Sequence, residues 1–246
     1  MRTDVIIVDN FYQDPLAVRE YALSQEYYTP YEAPETIAST AKQPTWFASR
    51  FKTVEECPFK SSPDLTKTLE ELVGETIDMD HWNSLFPLGP DGRPAGDAAR
   101  YNSRGCLWNC CFHCKPDNGQ RLGGGIHNHV TDIWNGVTPE GWAGLVYLND
   151  DAPLNGGLHL WRNRDPEHQY DWMTPAQDWE LIDSIGNVPN RLILARGSLP
   201  HSGAGGWGDS LETGRLYQTF FFRTLNPQRP RSIQPHGLTL PPGERP

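Results

Sequence analysis

Positive charge is scarce in this chain: 21 Lys and Arg face 31 Asp and Glu, a formal net charge of −10. Phosphate contacts need clustered Lys and Arg, so the balance argues against a nucleic acid or an anionic membrane surface as partner. Long hydrophobic runs are missing as well. The N-terminal stretch "MRTDVIIVDNFY" holds only four consecutive apolar residues. That is too short for a signal-peptide core, and no later stretch is long enough to span a bilayer. Cysteine is limited to five residues, an odd number, four of them crowded at Cys106, Cys110, Cys111 and Cys114. With no secretory signal in view, free thiols are expected in place of a disulfide framework, and the expected compartment is the cytoplasm.

A chain of 246 residues suits one large domain. At this length about 70–75% of the unfolded surface can be buried, so a core needs no staples. "DVIIVDNFY" reads as a first strand. "DPLAVREYALSQ" then starts a helix, with Asp14 as N-cap and Pro15 in the first helical position. A second helix opens at Ser62 and Pro63, carries Leu65, Leu69 and Leu72 on one stripe, and ends at Gly74.

From about residue 100 the texture changes. Short apolar or alternating runs ("GCLWNCCFHCK", "GGGIHNH", "WAGLVYLN", "GLHLWR", "NRLILARG", "GRLYQTFFFRT") are punctuated by Gly, Pro, Asn and Asp. Each fits a strand, and their spacing suits a sandwich or barrel. The last twenty residues hold six prolines, which makes them an extended arm and an expected route to a homo-oligomer. The expected layout is a helical part over 1–99, a β core over 100–224 and a Pro-rich arm over 225–246.

The chemistry concentrates in "GGGIHNHVTD", where His127, His129 and Asp132 follow a run of glycines. A strand puts residues i and i+2 on one face, so His127 and His129 can point the same way. Asp132 lies three positions past His129, within reach of a strand end or turn. A distant ligand is available at His201 in "RLILARGSLPHSGAGG", after an apolar strand. Imidazoles and one carboxylate on one side of a metal, with other positions open, form the facial triad of non-haem Fe(II) oxygenases.

Over residues 100–224 the chain resembles the Fe(II)/2-oxoglutarate-dependent oxygenases, particularly their prolyl-hydroxylase-like branch. The resemblance rests on the His-rich motif, on the segment "WAGLVYLNDDAPLNGGLHLWR" after it, and on His201 followed fourteen residues later by Arg215. It implies a double-stranded β-helix (jelly-roll) with N-terminal helices. It also implies Fe(II) and 2-oxoglutarate as cofactors, and oxidation of an unactivated C–H bond in a small molecule or a side chain. Arg215 would take the distal carboxylate of 2-oxoglutarate, for which a guanidinium fork is well shaped. Tyr147, on the strand after the motif, and Tyr217, on the strand face of Arg215, are candidate pocket residues, with Trp161 and Arg162 toward the substrate.

One position departs from the family pattern. A His-x-Asp pair starting at His127 would put aspartate at 129, where this chain has histidine. Either His129 and Asp132 are the pair, or His127 and His129 bind and Asp132 stands behind them. A three-histidine, cupin-like dioxygenase that uses no keto acid (His127, His129, His201) is one alternative, and a jelly-roll binding protein without catalysis is another.

Other signals read as structure. His81, His113, His159, His168 and His236 are single histidines in ordinary contexts. Cys111 and Cys114 make a CxxC without a second pair, a poor zinc signal, and fit a buried strand. "LNGGLHLW" places glycines at a turn, where positive φ is cheap. Phe220 to Phe222 read as core. The letters "HNH" suggest a nuclease, but those enzymes spread the three residues over a ββα motif, and the chain is acidic.

Overall fold

The computed structural model describes residues 4–28, 47–49, 56–83, 109–117, 119, 125–130, 137, 139–165 and 176–226. Asp132, Cys106, His168, His236 and the proline-rich segment from 227 onward lie outside them.

Local chemistry sets the helices. α1 (Pro15–Leu23) begins where the Asp14 carboxylate accepts from the Ala17 N–H, and Pro15 occupies the first turn. α2 (Pro63–Val73) is capped by Ser62, whose hydroxyl accepts from Leu65 N–H. It stops at Gly74, which takes the left-handed φ of 69° that a side chain would resist. Its buried stripe runs through Leu65, Leu69 and Val73, with Leu72 only partly covered. A short α3 (Met79–Trp82) follows and buries Trp82.

The strands are β1 (Val5–Val8), β2 (Tyr27–Tyr28), β3 (Phe47–Ser49), β4 (Phe112–Lys115), β5 (Trp142–Tyr147), β6 (Leu158–Asn163), β7 (Trp179–Ile185), β8 (Leu192–Arg196), β9 (His201–Gly203) and β10 (Arg215–Phe222). They form two antiparallel sheets, one ordered β1-β8-β5-β10-β4-β3-β2 and one ordered β7-β6-β9. A bridge between His127 and His201 lays the histidine segment along the free side of β9. From β4 onward the chain alternates between the sheets: β4 in the large, the His127 segment in the small, β5 in the large, β6 and β7 in the small, β8 in the large, β9 in the small, β10 in the large. That winding is a double-stranded β-helix, mainly β with helices from the N-terminal part. The N-terminal part is more than helical: it adds β1 to one edge of the large sheet and β2 and β3 to the other.

Strand alternation divides the apolar residues into two cores. The outer face of the large sheet, with Phe112, Trp142, Val146, Leu216, Phe220 and Phe222, packs on the helices through Leu69 and Trp82. The inner face, with Leu145, Tyr147 and Ile193, meets Leu158, Leu160 and Ile185 of the small sheet. β7 escapes the sequence reading because its middle residues are exposed, so no apolar alternation marks it. Among the described residues no helix is long and apolar enough to cross a membrane.

One buried ion pair ties the layers together. Arg196, at the end of β8, donates from Nη2 to Glu75 Oε1 at 2.8 Å, and its side chain and that of Glu75 are 4% and 0% exposed. Thr224 Oγ1 and Trp142 Nε1 also donate to this carboxylate, and the guanidinium lies 3.9 Å from the centre of the Trp142 ring. Removing one partner strands the other charge in a dry site. Glu75→Ala should therefore lower stability by about 3–5 kcal/mol in urea unfolding followed by circular dichroism. Glu75→Ala combined with Arg196→Met should lose less. A double variant no more stable than Glu75→Ala would refute that account.

Candidate functional site

The fold brings three distant-looking histidines to one point. His127 and His201 exchange backbone hydrogen bonds, N–H to O at 3.0 Å one way and 2.8 Å the other. His129, two residues on, donates its N–H to Gly197 O at 2.9 Å and accepts from Val137 N–H at 2.9 Å. The segment is thus pinned to the β8–β9 turn. The three rings have centroids 4.8–5.0 Å apart, and one ligand nitrogen from each lies within 4.8 Å of the others. Phe221 of β10 packs edge-on against His129 at 4.9 Å and gives the cluster an apolar wall.

Two of the three tautomers are set by the backbone. His127 Nδ1 lies 2.9 Å from Gly125 O, and His201 Nδ1 lies 2.8 Å from Leu199 O. A carbonyl can only accept, so each Nδ1 carries the proton and each Nε2 offers a lone pair. Ligand histidines in metal sites are held in this way. His129 Nε2 sits 3.2 Å from His201 Nε2. Two nitrogens each 2.0–2.1 Å from one metal ion stand about 3.0–3.4 Å apart, so the spacing suits neighbouring ligands of a single ion. Burial, then the nearby His127 and His129, push the His201 imidazole well below its ordinary pKa, which keeps the lone pair available.

A second polar group lies further along β9. His201 and Gly203 share the inner face of that strand, opposite Leu160 and Leu158, and are about 6.5 Å apart along it. A Cβ on Gly203 would stand 2.9 Å from Arg215 Nη1, so the missing side chain makes room for the guanidinium. Arg215, the first residue of β10, is 2% exposed. Its Nε and Nη2 donate to Gly156 O and Gly157 O, both at 3.0 Å. Among the described residues no carboxylate lies within ion-pairing distance of it. Its guanidinium carbon is 4.8 Å from the ring centre of Tyr217 and 5.6 Å from that of Tyr147.

Those tyrosines are directly opposite each other across β10 and β5. The Tyr147 hydroxyl is buried without a hydrogen-bond partner among the described residues. Burial raises the pKa of both phenols, so both remain protonated donors.

The remaining candidates separate cleanly. Trp161 lies on the outer face of the small sheet, where its Nε1 donates to Ser202 Oγ at 3.0 Å. Arg162 is exposed and ion-paired to Glu180 at 2.8 Å. Trp161 is thus off the inner face, whereas Arg162 has the strand parity of Leu158 and Leu160. Cys57, Cys110, Cys111 and Cys114 are buried free thiols, and Cys111 and Cys114 belong to the sheet region. His113 is buried on the inner face, stacked on Tyr217 at 5.4 Å.

Sequence reasoning missed the two glycine carbonyls that hold Arg215. The "NGG" turn matters for close packing, since a Cβ at Gly157 would meet Ile185 O at 1.8 Å and one at Gly156 would meet Trp207 at 2.4 Å. Neither glycine has a positive φ, so the reading as a turn that exploits one is corrected. No sequence signal distinguishes such a glycine from an ordinary turn residue.

The chain is similar in structure to several solved proteins. HygX from Streptomyces hygroscopicus, solved with nickel, 2-oxoglutarate and hygromycin B, aligns with a TM-score of 0.49 and 9% identity over 90% of this chain and 83% of that one. A prolyl hydroxylase from Trichoplax adhaerens gives 0.43 and 14% over 89% and 83%. A Pseudomonas putida prolyl-4-hydroxylase gives 0.41 and 12% over 90% and 92%. No protein-family model matches the chain, and no curated protein sequence matches it.

His113 generates a test of the inner face. Burial pushes its imidazole down to about 3, so it stays neutral in the folded chain. Below pH ~6.5 the unfolded chain binds a proton that the folded one refuses. Stability should therefore fall as pH drops from 6.5 toward 3, with His113 contributing up to about 1.4 kcal/mol per pH unit. Unfolding free energies of His113→Gln between pH 6.5 and 4.5 should show a shallower slope than wild type. Equal slopes would place this imidazole in contact with water.

Proposed function

We propose that this chain is a non-haem Fe(II)- and 2-oxoglutarate-dependent oxygenase that oxidises an unactivated C–H bond of a small molecule or a side chain. The observation that carries the reading is a two-part polar site inside the β-helix. One part is a cluster of three histidines, two with Nε2 lone pairs fixed toward a common point. The other, one strand step away, is a buried arginine with no carboxylate partner among the described residues, beside an unsatisfied tyrosine hydroxyl. A buried cation is costly unless an anion meets it. A molecule with a metal-chelating keto acid at one end and a carboxylate at the other fits both parts.

In this reading His127, His129 and His201 hold the iron, and Asp132 is a further candidate ligand. With both bound, dioxygen would be the oxidant: 2-oxoglutarate would lose CO2 and take up one oxygen atom to become succinate, and the other oxygen atom would go to the substrate C–H bond. The protein supplies position. Gly125 O and Leu199 O orient two of the ligand rings, and Gly156 O and Gly157 O aim the guanidinium. Tyr147 offers its hydroxyl to the distal carboxylate, while Tyr217 covers the guanidinium with its ring. The all-histidine cluster also favours a second reading, a three-histidine dioxygenase without a keto acid.

Ligand removal tests the metal. His201→Ala should lose stoichiometric Fe(II) while retaining the wild-type circular dichroism spectrum. Iron content at wild-type level in that variant removes the metal centre from the proposal. If Asp132 binds directly, Asp132→Ala should cost far more metal affinity than the ~10–100-fold typical of a residue behind the ligands. A small loss there, with severe losses for both His127→Ala and His129→Ala, assigns the site to the histidines.

Arg215 tests the cosubstrate. Stripping one partner from a buried charge pair costs ~2–5 kcal/mol, a loss of roughly 30- to several-thousand-fold in affinity. Arg215→Ala should weaken the apparent 2-oxoglutarate constant for succinate release by that factor, and Arg215→Lys should fall between it and wild type. Iron content should stay level in both. An unchanged constant in Arg215→Ala leaves the keto-acid-independent dioxygenase as the better reading.

A further inference from the structure

We propose that the substrate is a small zwitterion, a free α-amino acid with an apolar side chain, whose carboxylate and ammonium are taken by Arg162 and Glu180 on the side of the histidine cluster away from Arg215. This rests on the 2-oxoglutarate reading above and names the substrate class of that site.

Strand register carries the argument. Leu158 pairs with Gly203 and Leu160 with His201, so the inner face of β6 runs from the level of Arg215 to the level of the histidines. The ladder continues past His201, where Trp161 N–H donates to Pro200 O at 2.9 Å. Arg162 is the next inner position, about 6.5 Å beyond Leu160, and comes level with Leu199. His129, two residues past the His127–His201 bridge, reaches that same level, so it stands two strands from Arg162, about 10 Å away. Glu180 is the direct cross-strand partner of Arg162 on β7.

This ion pair is easily opened. Arg162 Nε and Nη2 both donate to one oxygen of Glu180, Oε2, at 3.1 and 2.8 Å, so Oε1 of Glu180 and Nη1 of Arg162 take no part in it. The two side chains are 63% and 46% exposed, and an ion pair so exposed is worth little to the fold. An anion alone would be drawn to Arg162 and repelled by Glu180, and a cation alone would meet the reverse. A zwitterion replaces one internal ion pair by two with the ligand and strands no charge. The wall opposite is apolar. Phe221 packs on the His129 ring, and Ala143 and Val137 are buried with it. Ala195, the cross-strand neighbour of Ala143, extends that wall with a second small side chain. A charged head on the ion pair and a body of a few carbons along this wall bring a C–H bond to the histidines.

The test uses full-length protein loaded with Mn(II) and 2-oxoglutarate, so that no turnover is needed. The probes are L-valine, L-leucine, L-isoleucine, L-proline and L-phenylalanine, each beside its N-acetyl and its carboxamide form. Proton NMR reads the broadening that Mn(II) imposes on a bound probe, which fades steeply with distance and so reports binding beside the histidines. At least one free amino acid should be broadened, and its N-acetyl and carboxamide forms should bind roughly 10-fold more weakly, the loss of one charged hydrogen bond. Arg162→Gln should weaken that amino acid by the same factor and leave its carboxamide form unchanged. Glu180→Gln should do the same and leave the N-acetyl form unchanged. Arg162→Lys should recover part of the loss. Equal losses for all three forms in these variants mark a structural effect and overturn the assignment. An N-acetyl or carboxamide form that binds as tightly as the free amino acid overturns the zwitterion, and so does the absence of broadening for all five amino acids in protein that binds 2-oxoglutarate by calorimetry. Mn(II)-loaded wild type that fails to bind 2-oxoglutarate overturns both this inference and the reading it rests on.

Discussion

The pair of backbone hydrogen bonds between His127 and His201 is the contact on which the site depends. Without it the histidine segment has no place in the small sheet, and β9 would be an open edge. With it, two imidazoles from remote parts of the chain sit side by side, and His129 follows on the same face. The Nδ1–H donations to Gly125 O and Leu199 O come from the same local backbone. The pairing that completes the sheet therefore also sets which nitrogen of each ring carries the proton. Fold and ring orientation have a common cause here.

The large sheet supplies the other half. Its outer face is occupied by the helices and by the aromatic layer around Trp82, Phe220 and Phe222. That cover lets the inner face carry polar groups, because the outer core and the buried Glu75–Arg196 pair hold the layers together. β10 shows the division within one strand. Leu216, Phe220 and Phe222 face the helices, while Arg215, Tyr217 and Thr219 lie on the inner face. A buried arginine is tolerated there because two glycine carbonyls accept from it and tyrosine rings cover it.

Amino-acid pattern by itself determined the caps at Asp14, Ser62 and Gly74, most strands of the β core, and the residue types that can hold a metal. Those are local properties: a short polar side chain before a proline, alternation over five to eight residues, imidazoles two positions apart. β7 was invisible because its exposed middle lacks the alternation that burial would impose. Which of Trp161 and Arg162 shares the face of Leu158 and Leu160 is shown only by the pairing of β6 with β7 and β9. Tertiary structure alone decided that His201 meets His127, that Gly203 leaves space for Arg215, and that Lys115 stands opposite that arginine. Each of these is a contact between segments far apart in the chain. Register and sheet order create such contacts, and neither is encoded in any short window of sequence.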